Sequence, residues 1–549
     1  MKSFDLVGRF FRTLKDLKFK QIIFLLLRKI QKPYLFNPKS FSKRKLKSEV
    51  YFGPESKSSV REKNCFDFLN KEKHFRNKID WNDEQDLLWT YNLNYFDYLN
   101  STDADHKKDF LRYLILQWID DNSVKSSVAW QPYPMSLRIV NWIKWSLKEN
   151  KENFELDRSI QQQSQWLSKN VEHHILANHL IANYKALLFA GFYFKGRQAD
   201  SWLNKYKTLL IKELDLQIFD DGGHFERSPM YHRTVLVDLL DIINIYRIYN
   251  FEVPAEFNII ATKMLSFMID FSHIDRKVPF FHDSVFGISP EYKEIIDYSD
   301  KLGIVANIKQ GNILFSQSGY VRLRNKTINL LMDVGSIGPK FQPGHSHAST
   351  LSLECSFLGK RFIVNSGIST YEPTNKRIEQ RGTSSHNTIE IDGFNSSEVW
   401  SSFRVGRKAK AKVESYSRSN SVIKASHNGY NWLKSIKGVT RYAKISENSI
   451  EIVDDIFSSG SFSAKGRWYI HPEIRLIGSD DRKMQYIFSL KTENGERLIA
   501  INISGAKCSH LEESEFFPGF NMVKKNYCLT FTYNGNCNES VKSNISLLE

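Results

Sequence analysis

Two hydrophobic rhythms divide this chain of 549 residues. From about residue 60 to residue 300, apolar positions recur every third or fourth residue, with many Trp and Tyr and few Gly or Pro, which predicts helix after helix. Asp109-Phe-Leu-Arg-Tyr-Leu-Ile-Leu-Gln-Trp118 is one such helix, and Leu236-Val-Asp-Leu-Leu-Asp-Ile-Ile-Asn-Ile-Tyr246 is another. A third, Met135-Ser-Leu-Arg-Ile-Val-Asn-Trp-Ile-Lys-Trp145, is entered from the turn Gln131-Pro-Tyr-Pro134. Near residues 305–320 the period drops to two, as in Gly319-Tyr-Val-Arg-Leu-Arg324 and Thr327-Ile-Asn-Leu-Leu-Met-Asp333. Short strands then run to the C-terminus, for instance Ser449-Ile-Glu-Ile-Val453 and Leu498-Ile-Ala-Ile-Asn502. Helices first and strands afterwards predict two domains in series, α then β. We place a basic arm at residues 1–50, a helical domain at 51–310 and an antiparallel β-sandwich at 311–549.

Composition excludes some classes and opens others. A hydrophobic content of 41% rules out wholesale disorder, and a length of 549 residues permits a large core. The formal net charge of +16 points to an acidic partner: nucleic acid, anionic lipid or an acidic polysaccharide. No nucleic-acid-binding module is recognisable, so that partner class is set aside. Five cysteines, with no CxxC pair, suggest neither a disulfide framework nor a thiolate metal site and fit a reducing compartment. The apolar run Ile22-Ile-Phe-Leu-Leu-Leu27 is too short for a signal peptide or a membrane span, so a cytoplasmic location is expected. The basic, amphipathic stretch Phe10 to Phe19 suits either an anionic membrane surface or the protein body.

Three clusters carry candidate chemistry. The first is on a helix expected over Trp166 to Phe189, whose apolar stripe includes His174, Asn178 and His179. Polar groups on such a stripe are either paired core residues or the lining of a pocket. The second is Asp220-Asp-Gly-Gly-His-Phe-Glu-Arg-Ser-Pro-Met-Tyr-His232. Its two glycines permit a tight backbone, and His224, Glu226 and Arg227 stand ready to contact a substrate. Tyr231 can give and take a proton if neighbouring positive charge, from Arg227 or a histidine, lowers its pKa. The third is Phe341-Gln-Pro-Gly-His-Ser-His-Ala-Ser349. An extended segment would turn His345 and His347 to one side. His345 suits a base or a partner for a substrate carboxylate. His347, Asn365 and His386 have donors of the kind that bind zinc.

Taken together, five segments resemble the heparinase II/III-like polysaccharide lyases and their alginate lyase relatives. They are Trp130-Gln-Pro-Tyr-Pro-Met-Ser-Leu-Arg-Ile-Val-Asn-Trp142, Asn178-His-Leu-Ile-Ala-Asn-Tyr-Lys-Ala-Leu187, Asp221-Gly-Gly-His-Phe-Glu-Arg-Ser-Pro-Met-Tyr231, Gly338-Pro-Lys-Phe-Gln-Pro-Gly-His-Ser-His-Ala348 and His386-Asn-Thr388. The resemblance implies an (α/α) toroid joined to a β-sandwich, with a cleft between them that cleaves a uronate-containing acidic glycan by β-elimination. It implies that Asn178 and His179 neutralise the uronate carboxylate, that Tyr231 is the general acid, and that His345 is an alternative base. It also implies a structural metal, zinc, on His347 and His386. Asn365 stands where the family usually has an aspartate, which weakens that site. A second expectation is a divergent or inactive relative that binds or modifies a glycan intermediate in surface-polysaccharide assembly.

Overall fold

A computed structural model describes residues 2–30, 42–122, 128–493 and 495–548. Its order follows the two rhythms: the last long helix of the first domain, Tyr292–Lys301, is followed by the first sandwich strand, Ile313–Phe315. The helical domain is built around Asn178–Tyr193, of whose sixteen residues all but His179 are buried. It is packed by Pro132–Glu149, Arg197–Gln217 and Pro229–Ile248. A helix buried on every side needs neighbours all round it, and its one buried cation, Lys185, is paired with Asp238 and Asp241.

Two details depart from the periodicity. The stretch expected to open the helical domain holds a small sheet, Val60–Glu62, Cys65–Phe68 and Lys71–His74, whose Phe66 and Phe68 feed the same core. The helix expected over Trp166 to Phe189 is two helices, Phe154–Lys169 and Asn178–Tyr193, separated by a turn. Leu176 and Ala177 adopt positive φ there, which interrupts the right-handed spiral. The Asn183 side chain holds the turn, accepting from the Glu172 backbone N–H at 2.9 Å and donating to the Glu172 carboxylate at 3.1 Å. Asn178 and His179 therefore sit at a helix N-terminus rather than on a mid-helix stripe.

The second domain stacks two antiparallel sheets. One runs Cys508–Phe516, Lys524–Gly535, Phe462–Ile470, Lys360–Ile363, Leu353–Phe357, Ile328–Asp333, Tyr320–Arg324 and Ile313–Phe315, with Ile389–Ile391 also pairing Phe462–Ile470. The other runs Ala411–Ser417, Val422–His427, Ile436–Ile445, Ser449–Ser458, Glu539–Leu547, Gly495–Ser504, Gln485–Thr492 and Arg475–Asp480. Alternation along these strands turns residues such as Ile450, Ile452 and Ile456 into a core shared by both sheets. The five cysteines are free thiols. Among the described residues no helix is long and apolar enough to cross a membrane.

The glycine pair fastens the domains together. A Cβ on Gly222 would lie 2.1 Å from the Lys263 carbonyl, and one on Gly223 would lie 2.0 Å from Ser318 Oγ on the sandwich side. That closeness lets the Asp221 carboxylate accept from the backbone N–H groups of Gln317 and Ser318, at 3.0 and 2.9 Å.

Candidate active site

The site forms where the N-termini of two helices from the first domain meet the histidine loop of the second. Asn178 opens one helix, and its Nδ2 donates to Glu226 Oε2 at 2.8 Å. Its Oδ1 is buried and has no hydrogen-bond partner among the described residues. Burial raises the Glu226 carboxyl above its ordinary value, against the opposing pull of His345 and the Asn178 hydrogen bond. Next along the chain, His179 Nδ1 meets Glu172 Oε2 at 3.1 Å, and the ring lies 4.3 Å from that of Tyr133. Burial works to raise Glu172, but His179 and then the Asn183 hydrogen bond hold its carboxyl below the ordinary value. With Nδ1 so engaged, Nε2 is the ring nitrogen left to the partly exposed side.

Tyr231 lies in the first turn of Pro229–Ile248, where Ser228 caps the helix by accepting from the Tyr231 N–H at 3.2 Å. Its ring stacks on His345 with 3.9 Å between centroids, and its hydroxyl is 3.2 Å from that of Tyr371. The expectation of a lowered phenol pKa is overturned. Burial raises it well above its ordinary value, and Tyr371, Asp283 and Glu226 push the same way. Arg227 cannot offset this because the sandwich consumes its guanidinium. It donates to the carbonyls of Ser318 at 2.8 Å and Gly319 at 2.9 Å, and to that of Ser336, and it pairs with Asp333. Arg227 is thus a domain fastener rather than the expected substrate contact.

His224 is likewise turned inward, with Nε2 2.8 Å from Gln217 Oε1, and its burial lowers its pKa well below the usual imidazole range. Of the three residues expected to contact substrate, Glu226 reaches the site through Asn178, and His224 stands behind it with Nδ1 3.6 Å from Glu226 Oε2.

At the heart of the histidine loop is a residue that sequence reasoning missed. Asp283 is fully buried and accepts from His345 Nδ1 at 2.9 Å and from His347 Nε2 at 2.8 Å. Arg377 clamps both of its oxygens, at 2.5 and 2.7 Å. Burial alone would raise Asp283, but Arg377 and then the two histidines hold it well below the carboxylate range. Tyr371, Tyr133 and Glu172 were also missed. Asp283, Tyr371 and Glu172 are common residue types with no motif spacing, and Tyr133 lay within the Trp130–Trp142 segment with no role assigned to it.

His347, Asn365 and His386 do come together, as a hydrogen-bonded chain. His347 Nδ1 is 3.2 Å from His386 Nε2, and His386 Nδ1 is 3.1 Å from Asn365 Oδ1. Asn365 Oδ1 also accepts from the Ser352 hydroxyl at 2.6 Å. A divalent cation needs donors with lone pairs converging on one point, preferably with a carboxylate. Here both nitrogens of His347 and both of His386 face partners, and the nearby carboxylate, Asp283, lies on the far side of His347. The residues as placed do not fit zinc. Burial keeps both rings neutral, His347 at about 4 and His386 well below its ordinary value.

A helical domain whose helix ends face a histidine loop on a β-sandwich defines a two-domain architecture, and the sequence matches say which family carries it. Residues 49–299 match Heparinase II/III N-terminus and residues 308–544 match Heparinase II/III-like, C-terminal, so the chain belongs to the heparinase II/III-like family. It is 26% identical over 240 residues to a heparin-sulfate lyase of Bacteroides stercoris, and 25% identical over 255 residues to one of Bacteroides thetaiotaomicron. These matches cover 40% and 39% of this chain but only 36% of each relative. The fold resembles a crystal structure of heparinase III, with TM-score 0.70 and 17% identity over 86% of this chain and 80% of that one. It also resembles heparan sulfate lyase HepC from Pedobacter heparinus, with TM-score 0.59 and 16% identity over 96% and 88%.

Proposed function

We propose that the protein is a polysaccharide lyase that cleaves a uronate-containing acidic glycan by β-elimination. The observation that carries this reading is the stacked Tyr231–His345 pair, with His345 Nδ1 tied to Asp283. A carboxylate on Nδ1–H leaves Nε2 with its lone pair, the form a general base requires. The raised Tyr231 pKa keeps the phenol protonated, the form a general acid requires. His345 takes the C5 proton, the C–H electrons form the C4–C5 double bond, and the C4–O bond breaks. The departing oxygen receives the Tyr231 proton.

The uronate carboxylate must be neutralised before its α-proton can leave. The N-terminus of Asn178–Tyr193 supplies a positive dipole end, and the Asn178 amide and the His179 ring supply polar groups beside it. Glu226 completes the set. Ionised, it accepts from the Asn178 amide; protonated, it donates to the amide oxygen and releases the N–H2 for the substrate. The names of the relatives, heparin-sulfate lyases, support a substrate of the heparan type.

The test is ultraviolet absorbance during incubation with heparan-type, alginate and bacterial capsular polymers, because elimination creates a conjugated unsaturated uronate. A rise that vanishes in Tyr231→Phe supports the reading. A flat trace with folded protein would overturn it in favour of a relative that binds glycan without cleaving it.

A further inference from the structure

The basic arm forms two short helices, Lys2–Leu14 and Phe19–Ile30, and both are inside out. In the first, Arg12 pairs with Glu398 and the Thr13 hydroxyl accepts from Trp400 Nε1 at 3.1 Å, so the polar side faces the sandwich. Val7, Phe10 and Phe11, at i, i+3 and i+4, face outward. In the second, Gln21 is 1% exposed and its amide reaches the carbonyls of His174 and Phe341, while Phe24 meets the His173 ring at 4.6 Å. The opposite stripe, Phe19, Ile22, Ile23 and Leu26, is open to solvent, with Phe19 at 76%. Apolar stripes left open to solvent on two consecutive helices mark an interaction site.

We propose that this face docks on an anionic lipid bilayer. Charge selects the occupant. The first 50 residues carry fourteen Lys and Arg against three Asp and Glu, a net +11 of the whole chain's +16. Lys15 and Lys20 are exposed on the same arm, where they meet anionic headgroups while the apolar stripe enters the acyl boundary. A second copy of the chain would bring another +11 against the first, so self-association by this face is opposed. At a rise of about 1.5 Å per residue a twelve-residue helix is about 18 Å long, short of the hydrocarbon core, so the arm lies on the membrane instead of crossing it. Because the second helix is seated on His173, His174 and Phe341, docking holds both walls of the cleft at the surface. The site would then meet glycan held there.

Co-sedimentation of the full chain tests this, with vesicles of phosphatidylcholine alone and of phosphatidylcholine with phosphatidylglycerol. Binding is expected to the anionic vesicles and to weaken with salt. The triple variant Phe11→Ser, Phe19→Ser, Leu26→Ser should bind about tenfold more weakly or worse. Lys15→Glu with Lys20→Glu should weaken anionic binding alone. All five positions are exposed, so unfolding temperatures should match the unaltered chain. Equal sedimentation of the triple variant, or none of the unaltered chain with anionic vesicles, would overturn the proposal. So would a lipid-free dimer in ultracentrifugation that the triple variant abolishes, since a second copy would then own the face.

Discussion

Tyr231→Phe removes one oxygen from the site and little else. The ring keeps its 3.9 Å stack on His345 and its place in the first turn of Pro229–Ile248. What is lost is the 3.2 Å hydroxyl contact with Tyr371 and the proton itself. The stability cost should be that of one hydrogen bond, about 0.5–1.5 kcal/mol. General acid catalysis is worth roughly 10²–10⁴ in rate, or about 3–5 kcal/mol of barrier. Turnover should therefore fall by about that factor with KM little changed, because the carboxylate contacts of Asn178 and His179 are untouched. The assay is the absorbance rate on whichever glycan the unaltered protein cleaves, beside a thermal melt of both proteins. Undiminished turnover would remove Tyr231 from the chemistry. An equal rise in KM with kcat unchanged would make it a binding residue.

Four further outcomes follow from the geometry. Asp283→Asn should cut turnover at least about a hundredfold and alter its pH profile, because an amide no longer selects the His345 tautomer; an unchanged profile would refute the positioning role. Arg227→Met strands the buried Asp333 and should cost about 3–5 kcal/mol in denaturant unfolding, with a near-zero cost showing that the fastening is dispensable. Histidines 232 and 427 are buried neutral, each at about 4 against an ordinary 6.5, so the folded state binds fewer protons than the unfolded one. Their contribution is whole above about pH 6.5 and is lost as pH falls through about 4, at roughly 3 kcal/mol each, so melting temperature should drop across that window; a flat profile would refute it. Dialysis against a chelator should leave the melting temperature unchanged, and a fall reversed by zinc would restore the metal reading of His347, Asn365 and His386.

Local pattern determined much of this protein. The change from period 3.6 to period two marks where helices give way to strands, because each period is the geometry of one element burying one face. Asn178, His179, Tyr231 and His345 could be singled out as candidates because their residue types can carry chemistry, while the roles expected of them came with the family resemblance.

What the sequence alone could not decide was direction. Periodicity extended one helix through residues 170–177, where two positive φ angles held by Asn183 place Asn178 at an N-terminus. Charge near Tyr231 in the chain suggested a lowered pKa, yet Arg227 points into the sandwich and the neighbours that remain are acidic. Asp283 binds two histidines more than sixty residues away, and Arg377 closes on it from ninety-four residues along the chain. A pKa, a tautomer or a metal site depends on which groups lie within a few ångströms and whether water is excluded. Those distances belong to the packed domains, and no window of sequence contains them.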